Sequence, residues 1–260
     1  MRVTLVGTGI SQGIPVVGCS CEACRSSDPH DKRLRTAAVV ESHETRIAID
    51  IGPDFRYQML SNGFTKLDAV VITHEHSDHI AGLDDIRPFN WTCSGSITFY
   101  AEERVISALT SRFPYAFMPP EKRYPGAPEI SPTTIPPALT PFSIKNLTIK
   151  PIRVLHGSLP ILGYRIGSFA YITDCSFLPE SSIEELQDLD TLVINALRHE
   201  KHVMHYSLSE AIAAIKRIAP RRAVLTHISH EMGPAMQWAY SLPANVIAGF
   251  DHMTLEINEQ

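Results

Sequence analysis

The sequence has no apolar run that approaches the 18 residues that a membrane-spanning helix needs. It also has no excess of positive charge, because 23 Lys and Arg residues stand against 28 Asp and Glu residues, giving a formal net charge of −5. This balance argues against non-specific nucleic-acid binding, which requires a basic surface. Residues 1–13 contain neither a long apolar core nor a cleavage-site pattern, so no secretory signal is expected. These absences predict a soluble, cytoplasmic protein without a membrane partner.

Cysteine is scarce, and its distribution is uneven. The chain has five cysteines, an odd number, and three of them, Cys19, Cys21 and Cys24, fall within six residues. Such clustering is poor for disulfide bonds but suits a metal ion in a reducing compartment. The C-x-C-x-x-C pattern offers three thiolates to one tetrahedral zinc ion, which then needs a fourth ligand from elsewhere. The alternative is three free thiols in a loop.

The chain does have enough length and apolar content for one large α/β domain. Its 260 residues are 44% hydrophobic and 20% charged, which is ordinary for a globular protein. No repeat, linker or low-complexity tract divides it, so we expect a single domain over residues 1–260. Residues 112–141 hold nine of the 19 prolines, a density that excludes helix and central strand. We expect a surface insertion or lid there, either walling the substrate pocket or forming an irregular flap.

Residues 73–79, with the sequence THEHSDH, carry the strongest functional signal. Three histidines and one aspartate lie within six residues: His74, His76, Asp78 and His79. They follow the β-branched run 70–72, which predicts a buried strand whose end is a rigid platform. Imidazole and carboxylate together suit zinc, manganese or iron, although a solvated polar loop is the alternative. The spacing resembles the signature of metallo-β-lactamase-fold hydrolases, in which the first two histidines bind one metal and the aspartate and last histidine bind a second.

Three more candidate ligands follow predicted apolar strands in the same way: His156, Asp174 and His227. With the four of the motif they make seven ligands for two metal ions. One ion would take His74, His76, His156 and Asp174. The other would take Asp78, His79, His227 and Asp174, so that Asp174 bridges the pair. Two divalent ions about 3.5–4 Å apart ionise a shared water near neutral pH and clamp a phosphoryl or carbonyl oxygen.

Several stretches narrow the resemblance to the PhnP-type phosphoribosyl cyclic phosphodiesterases. They are GTGISQGIPVVGCSCEAC, LHGSLPILGY, YITDC, MHYSL, LTHISH and GFDHM, and with THEHSDH they cover nearly the whole length. The resemblance implies an αββα sandwich, the metallo-β-lactamase fold. It also implies a structural zinc site in which the second histidine of HISH joins the clustered thiols, made of Cys19, Cys21, Cys24 and His230.

The resemblance further implies roles for two residues outside the seven ligands. His205 maps onto the family's catalytic histidine beyond the dinuclear set, although a solvated loop is the alternative. Asp50, at the end of a predicted strand, would support the metal ligands from behind, and its alternative is a cap for a helix over residues 54–60. His199 and His202 lie in the stretch NALRHEKHVMH, which departs from the family pattern, so their roles stay open.

We therefore expect a metal-dependent phosphodiesterase that hydrolyses a small cyclic or nucleotide-like phosphate ester by means of a metal-bridging hydroxide. His205 would protonate the leaving alkoxide or hold the phosphate, and Asp78 would also steer protons. The expected cofactors are two divalent ions, manganese or zinc with iron as a third option, and one structural zinc. Three alternatives stay open: a tRNA 3′-end endonuclease, a carboxyl-ester, thioester or lactone hydrolase, and a metal-stabilised binding module without turnover. The oligomeric state is open as well, with a homodimer as one alternative.

Overall fold

A computed structural model describes residues 1–43, 45–93 and 95–258 of the chain. The strands of this part are β1 (Arg2–Gly7), β2 (Ala37–Ser42), β3 (Thr45–Ile49), β4 (Ala69–Val71), β5 (Ile97–Glu102), β6 (Ile130–Ile135), β7 (Phe142–Ile144), β8 (Leu147–His156), β9 (Leu159–Ile166), β10 (Phe169–Ile172), β11 (Thr191–Asn195), β12 (Arg222–Thr226), β13 (Val246–Ala248) and β14 (Met253–Glu256). Its α-helices are α1 (Glu22–Arg25), α2 (Phe55–Ser61), α3 (Ser77–Ile80), α4 (Arg87–Cys93), α5 (Glu103–Arg112), α6 (Glu180–Glu185), α7 (Leu208–Ile218) and α8 (Ala235–Trp238). Short 3₁₀ helices lie at Pro29–Asp31, Leu83–Ile86, Pro114–Ala116, Pro120–Lys122, His230–Met232 and Ala239–Ser241.

The strands form two mixed sheets of seven strands each. The first has the order β14-β1-β2-β3-β4-β5-β6, and the second has the order β13-β12-β11-β10-β9-β8-β7. In each sheet one half is antiparallel and the other is parallel: β3 to β6 in the first sheet, and β10 to β13 in the second. Because parallel strands end at the same edge of a sheet, the residues that follow them are brought side by side.

Three apolar clusters set the order of the layers. One cluster joins the two sheets through fully buried side chains such as Val40 and Ile47 from the first sheet and Tyr164 and Tyr171 from the second. The other two lie on the outer faces, between the second sheet and helices α6 and α7, and between the first sheet and helices α2, α4 and α5. This helix–sheet–sheet–helix layering confirms the expected αββα sandwich. In the described part of the chain, no helix is both long and apolar enough to cross a bilayer.

The proline-rich segment 112–141 is more regular than its composition predicts. It contains the 3₁₀ helices Pro114–Ala116 and Pro120–Lys122 and then strand β6, which pairs in parallel with β5 along its whole length. Strand β6 includes Pro132, and it lies at the outer edge of the first sheet, where a residue without an N–H group is tolerated. Part of the segment therefore belongs to the sheet and does not stand apart as an insertion. A lid function for the remainder stays a prediction.

Helix α7 begins with a capping box. The Ser207 hydroxyl accepts a hydrogen bond from the backbone N–H of Glu210, and the Glu210 carboxylate accepts one from the backbone N–H of Ser207 at 3.0 Å. The helix ends at Ile218, and the next residue, Ala219, adopts the left-handed conformation typical of helix C-termini. The box fixes the start of α7, and Ser207 lies only two residues after His205.

Replacing Ser207 with alanine removes this cap. We expect the free energy of unfolding to fall by about 1 kcal/mol, the usual cost of losing an N-cap hydroxyl. Urea denaturation of the variant and the parent measures the difference. Ser181→Ala is the control, because Ser181 is an exposed residue of α6 and its loss should change stability by less than about 0.5 kcal/mol. Equal stabilities of Ser207→Ala and the parent would show that the box does not stabilise α7.

Candidate active site

The predicted metal ligands gather where strands of both sheets end. His74 follows β4, His156 is the last residue of β8, Asp174 follows β10 and His227 follows β12. With the rest of the motif they fall into two groups, and within each group the ligand atoms lie within 4.8 Å of one another: His74, His76 and His156, and then Asp78, His79, Asp174 and His227. Asp174 also lies within that distance of His156 and His205. The fold thus brings all seven candidates to one place.

Asp50 anchors the histidines from behind. It is fully buried, and its carboxylate accepts hydrogen bonds from the Thr73 N–H and hydroxyl, both at 2.8 Å, and from His79 Nδ1 at 2.7 Å. Because the Thr73 hydroxyl donates to Asp50, it accepts from His74 Nδ1 at 2.9 Å. One carboxylate therefore orients two rings, which is the supporting position that the sequence analysis gave Asp50. These contacts do not show the alternative role, in which Asp50 would cap the next helix.

Several of the opposite ring nitrogens make no hydrogen bond. His156 Nδ1 donates to the Met204 carbonyl at 2.7 Å, so its Nε2 carries the lone pair, as does that of His74. Among the described residues, Nε2 of His74 is buried without a partner. Nε2 of His79 and Nε2 of His227 also make no hydrogen bond, although oxygens of Asp174 lie 3.3 and 3.2 Å away. A buried polar atom left unpaired costs about 1–3 kcal/mol. A metal ion between these rings would remove that cost, so the donor set fits a metal centre.

Charge in the second group leads to the same conclusion. Asp174 is buried, with Oδ2 3.3 Å from His79 Nε2 and Oδ1 3.2 Å from His227 Nε2. Burial raises the pKa of Asp174, but His227 and His79 together hold it well below its usual range. Burial lowers the pKa of His227, yet Asp174 and Asp78 raise it to about 9. The buried carboxylates thus require positive charge beside them. Protons on the histidine rings supply this charge, and divalent cations would supply it in their place.

Three of these residues adopt a strained backbone conformation. Asp50, Asp174 and His227 have φ angles of 64°, 55° and 52°. This left-handed region costs roughly 1 kcal/mol or more for a residue other than glycine. Each residue comes one or two positions after the end of a strand, where the unusual turn redirects its side chain. Sequence reasoning missed this feature, because tolerance of aspartate and histidine for the region is only a weak signal.

Two glycines allow the motif to pack closely against the end of β3. A Cβ atom on Gly52 would lie 2.0 Å from the Asp78 carbonyl oxygen, and one on Gly82 would lie 2.2 Å from the Gly52 carbonyl oxygen. The Ile51 N–H donates to the His79 carbonyl at 2.8 Å, and the Gly82 N–H donates to the Ile51 carbonyl at 2.8 Å. Only glycine permits this approach, which fixes the backbone that carries two candidate ligands.

Glu75, between two histidines of the motif, is held by two arginines of α5. Arg104 forms a salt bridge with the Glu75 carboxylate and donates to the Pro160 carbonyl at 2.8 Å. Arg112 donates to the Glu75 carbonyl at 3.1 Å and to the Ser77 hydroxyl at 3.3 Å. The sequence analysis gave these arginines no role, because they follow the motif by about 30 residues and match no motif of their own.

His205 lies at the border of the second group. Its ring centroid is 4.6 Å from that of His156 and 4.8 Å from that of His227, and its Nδ1 is 3.8 Å from Asp174 Oδ1. Burial and His227 lower the pKa of His205 to about 3, against the opposing effect of Asp174. The ring is therefore neutral near pH 7 and offers one N–H group. His202 stacks against it, with ring centroids 5.3 Å apart.

The clustered cysteines form the second predicted metal site. The ligand atoms of Cys19, Cys21, Cys24 and His230 all lie within 4.8 Å of one another. Sγ of Cys19 and Sγ of Cys21 are each 3.3 Å from His230 Nδ1, and all three cysteines are free thiols. Three thiols and one imidazole are a donor set typical of structural, tetrahedral zinc. The residues present fit such an ion, which would tie the N-terminal loop to the segment after β12.

Comparisons with known proteins agree with this geometry. A model of the β-lactamase superfamily domain matches residues 45–228. The chain is 36% identical to a solved structure described as a new diphosphatase from the PhnP family, with a TM-score of 0.91 over 99% of this chain and 98% of that one. Zinc-bound PqqB from Methylobacterium extorquens shares the fold, at 18% identity and a TM-score of 0.79 over 99% of this chain and 100% of that one. The chain belongs to the metallo-β-lactamase-fold hydrolases of the β-lactamase superfamily, and within them to the PhnP family.

A third relative has a different name. A curated octanoyltransferase of Porphyromonas gingivalis is 40% identical to this chain over 262 aligned residues, which cover 100% of this chain. The chain spans only about half of that protein, 52% of its length. The name therefore describes a protein roughly twice as long as this one.

Replacing Asp50 with alanine tests its role as an anchor. The change leaves the Thr73 N–H and His79 Nδ1 without their acceptor in a fully buried place. We expect the free energy of unfolding of the chelator-treated protein to fall by about 3–5 kcal/mol. Urea denaturation measures it, and Thr73→Val, which removes only one hydroxyl, should cost about 1 kcal/mol. Similar losses in the two variants would contradict the anchoring role.

Proposed function

We propose that the protein is a dinuclear metal-dependent phosphodiesterase that acts on a small cyclic or nucleotide-like phosphate ester. The observation that carries the proposal is the pair of adjoining ligand groups, whose buried ring nitrogens make no hydrogen bond. One ion would be held by His74, His76, His156 and Asp174. The other would be held by Asp78, His79, His227 and Asp174. When bound, two such ions activate a water molecule and offset negative charge on phosphoryl oxygens.

The identity of the ions is part of the proposal. Manganese or zinc is proposed for the dinuclear centre, with iron as a third option, because imidazole and carboxylate ligands suit all three. A structural zinc is proposed for the site of Cys19, Cys21, Cys24 and His230. Free thiols in all five cysteines support a reducing compartment, and we propose the cytoplasm.

The protein's own residues would position the substrate and move protons. His205 Nδ1 lies 3.8 Å from Asp174 Oδ1. As a neutral ring His205 would hold the phosphate through its N–H group, and it would give a proton to the leaving oxygen only in its imidazolium form. Asp78 keeps 14% of its side chain exposed, and its carboxylate would steer protons at the site while it binds the second ion. Asp50 and Thr73 would keep His74 and His79 in the orientation that binding requires.

We infer a small substrate in place of RNA. The net charge of −5 offers little general attraction to a polyanion. A phosphoanhydride is the nearest alternative to a diester, because a relative at 36% identity is described as a diphosphatase. Both bonds present a phosphoryl group to the same two ions, so only parallel assays of a diester and a diphosphate can separate them.

Metal content and turnover test the proposal directly. Mass spectrometry should find about three metal ions per chain, and bis(p-nitrophenyl) phosphate should be hydrolysed with a rate that added manganese increases. A chelator should abolish turnover, and the metals should restore it. His76→Ala should lose dinuclear metal while keeping the zinc of the cysteine site. About one zinc and no turnover after reloading would instead favour a binding module.

His205 can be tested with two leaving groups. If it protonates the leaving oxygen, His205→Ala should slow hydrolysis of a phenyl ester by about 100-fold or more, but that of a p-nitrophenyl ester much less, because p-nitrophenolate leaves without a proton. If it only holds the phosphate, both rates should fall equally. His199→Ala is the control, because His199 is exposed in the same stretch. Full activity of a metal-loaded His205→Ala protein on both esters would exclude either role.

Hydrolysis of an acyl ester or thioester is a second candidate. It is favoured by one observation, the 40% identity to a protein named octanoyltransferase along the entire chain. That protein is about twice as long, so its activity is carried over here only as a proposal. Hydrolysis of p-nitrophenyl octanoate by the metal-loaded protein, faster than that of the phosphodiester, would favour this candidate over the first.

A further inference from the structure

Four charged side chains, which we call the ion-pair network, lie beside the first ligand group: Glu75, Arg104, Glu102 and Arg153. Glu75 forms a salt bridge with Arg104, and Arg104 Nη2 lies 4.0 Å from Glu102 Oε2. Glu102 in turn accepts hydrogen bonds from Arg153 Nη2 at 2.7 Å and from Nη1 at 3.2 Å. None of the four side chains is more than 36% exposed. The pairs are therefore partly withdrawn from water, where salt screens them less than at an open surface.

The ion-pair network joins the two sheets where the first ligand group is assembled. Glu75 directly precedes His76 in the motif after β4, which belongs to the first sheet. Arg153 lies three residues before His156 in β8, which belongs to the second sheet. Arg104 makes a further link, because its Nη2 donates to a backbone carbonyl of β9 at 2.8 Å. Two ligands that come from different sheets are thus tied together through the network.

The ring of His76 has no hydrogen-bond partner to orient it. The other two rings of its group, those of His74 and His156, are each hydrogen-bonded at Nδ1. The His76 ring makes no hydrogen bond to any residue that the structure describes. It only contacts its neighbours, with its centroid 4.6 Å from that of His74 and 5.1 Å from that of His156. Its position therefore depends on the backbone that carries it.

Two arginines of α5 hold that backbone. Arg104 binds the Glu75 carboxylate, and Arg112 donates to the Glu75 carbonyl at 3.1 Å. This carbonyl belongs to the planar peptide bond that joins Glu75 to His76. The arginines thus restrain the dihedral angles on both sides of Glu75, on which the direction of the His76 side chain depends.

We infer that Glu75 and Arg104 are positioning residues, which set the affinity of the first ligand group for its ion by fixing His76. Glu75 belongs to neither ligand group, so it acts through its neighbour and does not bind the ion itself. The second ligand group is held separately, because Asp50 orients His79. The inference rests on the dinuclear centre of the proposed function and adds that loss of the ion-pair network weakens one ion and spares the other.

Stepwise zinc binding to the chelator-treated protein tests the inference. Native mass spectrometry counts the bound ions, competition with a chromophoric chelator gives a Kd for each, and His76→Ala identifies the step of the first ligand group. In Glu75→Gln and in Arg104→Met, Kd at that step should rise about 10- to 100-fold, while the other steps change less than about threefold. Arg104→Lys should recover part of the loss, because lysine keeps the charge without the planar guanidinium. At saturating metal, kcat for bis(p-nitrophenyl) phosphate should return to within about threefold of the parent.

Lys150→Met is the matched control. Lys150 also lies in β8 and forms a salt bridge with Glu185 at 2.9 Å, and like Arg104 it has 36% of its side chain exposed. Along an extended strand it is roughly 20 Å from His156. Removing its charge should therefore leave the zinc affinity of every step unchanged.

The outcomes separate this inference from the proposed function. Parent-like affinities in Glu75→Gln and Arg104→Met, or equal weakening of every step, would overturn the inference, because the ion-pair network would then only stabilise the fold. If Arg104→Met does not fold, Glu75→Gln decides alone, since the amide keeps the shape of the side chain. A parent that binds no ion besides the zinc of the cysteine site would overturn the dinuclear centre and the inference with it. Three bound ions without hydrolysis of the diester would overturn the proposed function and leave the inference intact.

Discussion

Two buried carboxylates, those of Asp50 and Asp174, determine which side chains must surround them at the strand ends. A carboxylate removed from water is strongly destabilising unless donors or cations surround it. Asp50 meets this requirement with three short hydrogen bonds, two from Thr73 and one from His79. Asp174 meets it with His79 and His227, whose rings approach its two oxygens from different sides. The histidines around the site therefore serve two purposes: they offset the charge of the buried carboxylates, and they form a set of metal ligands. Divalent cations bound there would offset the same charge.

Much of the candidate site follows from local sequence patterns, whereas the αββα fold came from the family resemblance. A β-branched run that ends two positions before His74 marks a strand end, and apolar strands likewise precede Asp174 and His227. Since parallel strands end at one edge, residues far apart in sequence can be expected together without knowledge of the full topology. The cysteine cluster is equally local. Its fourth member, His230, came from the family resemblance and not from spacing.

What the sequence did not reveal depends on contacts between distant segments or on backbone conformation. The arginines of α5 reach Glu75 only after β4 and β5 have paired, and no local pattern marks that meeting. The left-handed turns at Asp50 and Asp174 are imposed by surrounding packing against the preference of the residues themselves. Pro132 lies in a strand because that strand is at an edge, and edge position is a property of the whole sheet.

The segment 227–231 connects features that sequence alone treats as separate. His227 belongs to the second ligand group and His230 to the cysteine site, and the next residue, Glu231, accepts a hydrogen bond from Arg198 at 2.8 Å. Backbone bonds fasten the segment to the N-terminal loop: the Ile228 N–H donates to the Thr8 carbonyl at 2.9 Å, and the Ile10 N–H donates to the Ile228 carbonyl at 3.2 Å.

Few rotatable bonds separate these residues, so the position of one constrains the others. The ligand atoms of the cysteine site lie within 4.8 Å of one another, so an ion bound there would link the N-terminal loop to the segment after β12. A cluster that looks purely structural in sequence is therefore attached, in the fold, to the segment that supplies His227 to the second ligand group.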